Sequence, residues 1–129
     1  TLNNPNGKGR TIMANFNFEE FKKTHKGQFF FLTRYGKHKH SDPVYSEIKE
    51  DIYLVFGSES YGIDRTLLQE NLDNTFRIPT TDKIRSLNLS NCVAITVFEV
   101  LRQLGFPELE VHEPNTLKGE NYLNNYKGE

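Results

Sequence analysis

The 129-residue chain is long enough to enclose one hydrophobic core, yet near the size at which a partner subunit often completes it, so a single domain over 1–129 is expected. Its 16 Lys and Arg stand against 17 Asp and Glu, a formal charge of −1, which excludes a whole-molecule field that gathers nucleic acid; any RNA contact must come from local patches. One cysteine, Cys92, excludes an internal disulfide, and no apolar run reaches membrane-spanning length, so a cytoplasmic chain without membrane association is expected.

In chain order, "TLNNPNGKGR" is rich in Asn, Gly and basic side chains and reads as a mobile loop rather than a first strand. The start at Thr1 without methionine suggests a piece of a longer protein. "RTIMANF" reads as a short strand. Asn17 is placed to cap a short amphipathic helix over "FEEFKKTHKG", with Phe18, Phe21 and His25 on one face and Gly27 as the stop. "QFFFLT" and "IYLVFG" are continuous apolar runs bounded by turn formers, the pattern of strands buried on both faces, and with helices between them they predict a parallel sheet.

Between these strands lies the polar stretch "RYGKHKHSDPVYSEIKE", long enough to hold a functional loop. Lys37, His38, Lys39 and His40 could touch phosphate. A solvated charge run is the plainer reading, and a metal site is the weakest, because no nearby Cys or carboxylate pattern completes one. "VFGSESYGI" then packs two glycines into a sharp loop before a helix over "DRTLLQENL", an arrangement suited to a phosphate or nucleotide. It lacks the lysine of a P-loop and the G-x-G-x-x-G spacing.

"TFRIP" is a further short strand, ended by Pro79. The strongest helical pattern is "LSNCVAITVFEVLRQLG": Leu89, Val93, Val97, Val100 and Leu104 form one stripe, while Ile95 and Phe98 lie well around from it. Such a helix needs two surfaces to pack on, either the sheet and a second subunit or the depth of a single core. Cys92 within this pattern reads as a structural thiol. Gly105 and Pro107 end the helix, and residues 107–129 read as a loose polar tail.

Taken together, "FGSESYGI" after a strand and "RIPTTDKIRSLNLSNCVAITVFEVLRQLG" downstream resemble the SPOUT superfamily of S-adenosylmethionine-dependent RNA methyltransferases, closest to the tRNA 2′-O-methyltransferases of the wobble cytidine or uridine. They are similar to that family's F-G-x-E-x-x-G motif and to its motif of I-P followed by R-S-x-N-L-S-N. The resemblance covers about Phe29 to Phe106. No segment matches the family's N-terminal strand and first motif, N-x-G-N-x-x-R; Arg10 and Arg34 do not sit in it.

The resemblance implies an α/β fold with a C-terminal deep trefoil knot, a homodimer, S-adenosylmethionine as cofactor, tRNA as substrate and no metal. It places cofactor contacts at Leu32, Gly57, Ile78 and Ser86 and catalytic polar groups at Glu59, Ser86 and Asn88; beside it, Arg85 is the best local candidate for an RNA phosphate contact or else a surface salt bridge, with Lys37 and Lys39 as further local cations. Gly57 would let bare backbone approach the cofactor where a Cβ would collide; a tight turn alone is the other reading of Gly57 and Gly62. Asn88 or Ser90 could equally be no more than a helix cap. A ribosomal RNA target, another tRNA position, or a non-catalytic RNA-binding or dimerisation fragment remain the alternatives.

Overall fold

The computed structural model describes residues 2–4, 7–13, 17–84 and 87–128, the first two segments as backbone only. Six strands form one sheet: β1 Leu2–Asn4, β2 Gly7–Met13, β3 Gln28–Leu32, β4 His38–Lys39, β5 Ile52–Phe56 and β6 Thr75–Arg77. Their spatial order is β1-β2-β5-β3-β6-β4, and every pairing is parallel except β1 with β2. The register sets Leu54 between Thr11 and Phe30, and Phe76 between Leu32 and His38.

Helices cover both faces, as the two apolar runs require. Phe30, Leu32, Ile52, Leu54 and Phe56 point to one side, onto Val100 and Leu101 of α3 (Leu89–Leu104) and the buried ring of Tyr45. Phe31 and Val55 point to the other, where Phe18 of α1 (Phe18–Thr24), Leu68 of α2 (Arg65–Glu70) and Ile63 complete a second core. The period-two alternation of a strand thus divides one apolar run between two cores.

Local chemistry sets the helix ends. Asn17 accepts the Glu20 N–H at 3.2 Å and begins α1, a cap worth about 1 kcal/mol. This helix stops at Thr24, three residues before Gly27, with the Phe21 ring stacked on His25 at 3.8 Å. Asp64 caps α2 through the Thr66 N–H at 2.8 Å. Asn88 caps α3 through the Ser90 N–H at 2.8 Å, and Gly105 closes it in the left-handed region at φ 82°.

Two expectations are corrected. The opening decapeptide, read as a loop, supplies β1 and the first residues of β2, with Gly9 opposite Ile52 and Arg10 opposite Tyr53. The open edge of β5 provides a ladder of backbone partners for β2, which in turn pairs with β1, and these ladders outweigh the low strand propensity of Gly and Asn. The polar stretch after β3 likewise holds an edge strand, β4, whose Lys39 lies opposite Arg77. On α3 the predicted stripe faces the core, whereas Ile95 and Phe98 are 39% and 55% exposed, so this chain does not wedge the helix deep in a single core.

A polar network ties α3 to the segment after β4. The Tyr45 N–H donates to Gln103 Oε1 at 2.9 Å and the Tyr45 hydroxyl donates to the His40 carbonyl at 2.6 Å. Burial, reinforced by the nearby Glu99 and Asp42 carboxylates, pushes that hydroxyl well above the usual phenol range. Beyond α3 the chain makes local contacts, such as the Lys118 ammonium 5.1 Å from the Tyr122 ring centre. Among the described residues no helix is long and apolar enough to cross a membrane.

Candidate ligand cavity at the carboxyl edge of the sheet

A cavity of about 760 Å³ opens where β3, β5 and β6 end. Parallel sheets bind ligands at this edge, because the loops leaving successive strands converge there. Leu32 comes from β3, Phe56 and Gly57 from the end of β5, Ile78 from just after β6, and Leu87, Asn88 and Cys92 from the start of α3. Four distant segments therefore meet around one hole.

Of the residues singled out from sequence, Leu32, Gly57, Glu59, Ile78 and Asn88 all line this cavity. Arg85 and Ser86 lie outside the described residues. Lys37 and Lys39 are not among the walls: both side chains are exposed, and the Lys39 ammonium sits 3.6 Å from Asp42. Among the described residues no group of His, Cys, Asp or Glu could hold a metal.

The reason for Gly57 differs from the one expected. A Cβ there would fall on the backbone of Gly62 and Ile63, not into the cavity. The loop doubles back on itself, with the Gly62 N–H donating to the Ser58 carbonyl at 2.9 Å and Gly62 at φ +70°. Gly57 is small so that the returning strand of the loop can pass, and Gly62 is a glycine because the turn needs positive φ. Both answer to the turn, and the turn in consequence brings the backbone of 57–62 to the cavity wall.

Asn88 spends its side-chain oxygen on the Ser90 N–H, so the capping alternative is the observed one, although its position on the wall is unchanged. Glu59 is exposed on the loop. Leu32 is buried and Ile78 half-buried, giving the cavity apolar sides. Cys92 is half-buried with its thiol 3.8 Å from the Leu87 carbonyl, and burial raises its pKa, which keeps it protonated and a poor nucleophile.

Sequence reasoning missed the arginines. Arg34, Arg65 and Arg77 line the cavity, and the guanidinium carbons of the first two stand 5.3 Å and 5.1 Å from the ring centre of Tyr35. Arg65 also donates to the Tyr35 hydroxyl at 3.1 Å, and Arg77 to Thr80 Oγ1 at 3.3 Å. A signal existed, since Arg34 and Tyr35 follow a buried strand and Arg65 opens a helix just past the glycine loop, both places where a parallel sheet presents its ligand-facing groups.

Apolar walls and loop backbone at the carboxyl edge of a parallel sheet define an α/β domain with a ligand-sized hole, and a cavity of this size falls within the range of about 300–1,000 Å³ usual for small-molecule sites. More narrowly, residues 11–98 match the SpoU rRNA Methylase family, and the chain belongs to it. A protein of Listeria monocytogenes, provisionally named a tRNA (cytidine(34)-2′-O)-methyltransferase, is 48% identical over 97 residues, 75% of this chain and 57% of its own length. A Bacillus anthracis crystal structure, provisionally described as an RNA methyltransferase, superposes with a TM-score of 0.69 at 45% identity over 74% of this chain and 60% of its own. A structure concerned with 2-OH methylation of C/U34 on tRNA gives 0.58 at 29% identity, over 70% and 54% of the two chains. The chain thus spans little more than half the length of these relatives.

Proposed function

We propose that the chain carries the cofactor-binding part of an S-adenosylmethionine-dependent methyltransferase that modifies the ribose 2′-oxygen of the wobble cytidine or uridine in tRNA. The observation that carries this reading is the convergence of Leu32, Gly57, Ile78 and Asn88 on one cavity at the carboxyl edge of the sheet. These are positions where the family motifs place cofactor and polar site groups, and the names of the relatives point to the same substrate.

The walls fit the cofactor. Leu32 and Ile78 offer flat apolar sides for an adenine, and the 57–62 backbone offers polar groups to its edge. S-adenosylmethionine, when bound, supplies a methyl group made electrophilic by its sulfonium. The chain's own task is to exclude water and to orient a ribose hydroxyl, for which Glu59 and Asn88 stand on the wall and Ser86 is the third proposed group. Because no segment matches N-x-G-N-x-x-R, no residue here is given the role of base. Arg85, Lys37 and Lys39 are proposed RNA contacts, and a cytoplasmic site of action goes with a tRNA substrate.

A trefoil knot and a homodimer belong to the same proposal. Support for the knot is that residues on both sides of 85–86 and the 57–62 loop reach one cavity. A crystal structure with S-adenosylhomocysteine, tracing 78–88 past that loop, checks it, and an unthreaded path removes it. Support for the dimer is the exposure of Ile95 and Phe98 on a helix otherwise packed on the core. Sedimentation of the full-length protein should give a dimer, with Phe98→Glu a monomer, because a buried unpaired charge is costly; a dimeric variant sends that face back to solvent.

The decisive test of function is mass spectrometry of tRNA from cells lacking the gene. Wobble 2′-O-methylation should vanish and return with the parent gene, and calorimetry should detect S-adenosylhomocysteine. Intact wobble methylation with loss of a ribosomal mark would favour the second reading, a ribosomal RNA target, to which the family's name points.

A further inference from the structure

We propose that Arg34 and Arg65, both set against the ring of Tyr35, form a phosphate grip at the mouth of the cavity for an unpaired stretch of RNA. The inference rests on the methyltransferase reading and adds the residues that would hold the substrate's backbone. The two arginines come from different elements, the exit of β3 and the first residue of α2, and meet at one tyrosine that is 52% exposed. Their guanidiniums sit 5.3 Å and 5.1 Å from its ring centre, and the Tyr35 hydroxyl accepts from Arg65 at 3.1 Å.

Charge sets this cluster apart. Among the described residues neither Arg34 nor Arg65 forms an ion pair, and Asp64, the nearest acid in sequence to Arg65, is engaged in capping α2. Arg77 adds a third guanidinium, bonded only to a hydroxyl among the described residues. Among the described residues a single carboxylate, Glu59, stands around the same hole. In a chain with more acids than bases, three arginines without a carboxylate partner are a concentrated local field. Like charges lining one cavity repel, and a bound anion offsets that repulsion.

Two anions could answer: the carboxylate of the cofactor or the phosphates of RNA. A lone carboxylate is satisfied by one bidentate guanidinium. Two guanidiniums gathered at one exposed aromatic ring suit repeated phosphates with a base beside them, the pattern by which unpaired RNA is held. Tyr35 is the positioning residue, orienting Arg65 through its hydroxyl and both guanidiniums through its ring.

The test measures binding of a synthetic anticodon stem-loop to the full-length protein by fluorescence anisotropy, from about 50 to 200 mM salt. Each phosphate contact to single-stranded RNA contributes about 0.7 to the slope of log K against log salt, so Arg34→Gln with Arg65→Gln should flatten it by about 1.4. S-adenosylhomocysteine affinity and the urea midpoint should stay at parental values. Tyr35→Phe, which removes only the hydroxyl acceptor, should weaken RNA binding less than the double variant. An unchanged slope overturns the grip, as does lost S-adenosylhomocysteine affinity with the slope retained, since the anion is then the cofactor's carboxylate. A parent protein that binds no S-adenosylhomocysteine sinks the cofactor reading itself, whereas a parent that methylates tRNA beside a double variant of unchanged slope sinks the grip alone.

Discussion

Ile52–Phe56 and the loop 57–62 follow one another in the chain, but the strand is buried at all five positions while Glu59, Ser60 and Tyr61 of the loop are exposed. Both are tightly constrained, by different means. Side chains of β5 fill two cores, so its positions tolerate only residues of the right volume. The loop is held by backbone: Gly57 passes against Gly62 and Ile63, and Ser58 receives the Gly62 N–H. A wall set by backbone leaves its side chains free to carry charge, which is why Glu59 stands on the loop and no charge stands on the strand.

The comparison breaks first at the core. Leu54 is fully buried between β2 and β3, and Leu54→Ala should cost about 3–4 kcal/mol in urea denaturation by leaving a cavity. A cost below 1 kcal/mol would mean that this strand is not the centre of the molecule. Next, Gly57→Val should destabilise by about 2–3 kcal/mol, since the clash is with backbone and cannot be relieved by a rotamer. Unchanged stability with loss of S-adenosylhomocysteine binding would restore ligand contact as the reason for that glycine. Gly62→Ala should cost only about 1 kcal/mol, because a Cβ there meets no neighbour within 4 Å and the penalty is the positive φ alone.

The smallest effect is expected where side-chain charge, not packing, does the holding. Arg102 hydrogen bonds to Glu99 at 3.0 and 2.9 Å and keeps its carboxyl below the usual range, with Gln103 assisting against the opposing effect of burial. A carboxyl depressed in the folded state adds stability above its unfolded pKa and loses it as pH falls through the folded value. Relative to Glu99→Gln, the parent should therefore be more stable at pH 7 and lose that advantage as pH falls through and below the usual carboxylate range. The gap should stay under about 1 kcal/mol, since Arg102 is largely exposed. Urea midpoints that run parallel across this range would remove the pair from the account.

Much of the frame was legible because it depends on near neighbours in the chain. The runs at 28–32 and 52–56 announced doubly buried strands, Asn17, Gly105 and the pair Asn88 or Ser90 announced helix ends through capping chemistry, and the family pattern pointed to Leu32, Gly57, Glu59, Ile78 and Asn88, which the fold gathers around one cavity. What remained hidden depends on partners distant in sequence. The start of β2 and β4 are strands because β5 and β6 offer ladders to them, and β1 because β2 offers one in turn, whatever their own propensity. Gly57 is explained by a backbone that returns five residues later, and the meeting of Arg34 with Arg65 at Tyr35 exists only once β3 and α2 are packed. Hydrophobic period and caps are properties of a segment, so sequence determined them; ladder pairing, close backbone approach and the clustering of charge are properties of a packed fold, and only tertiary structure could decide them.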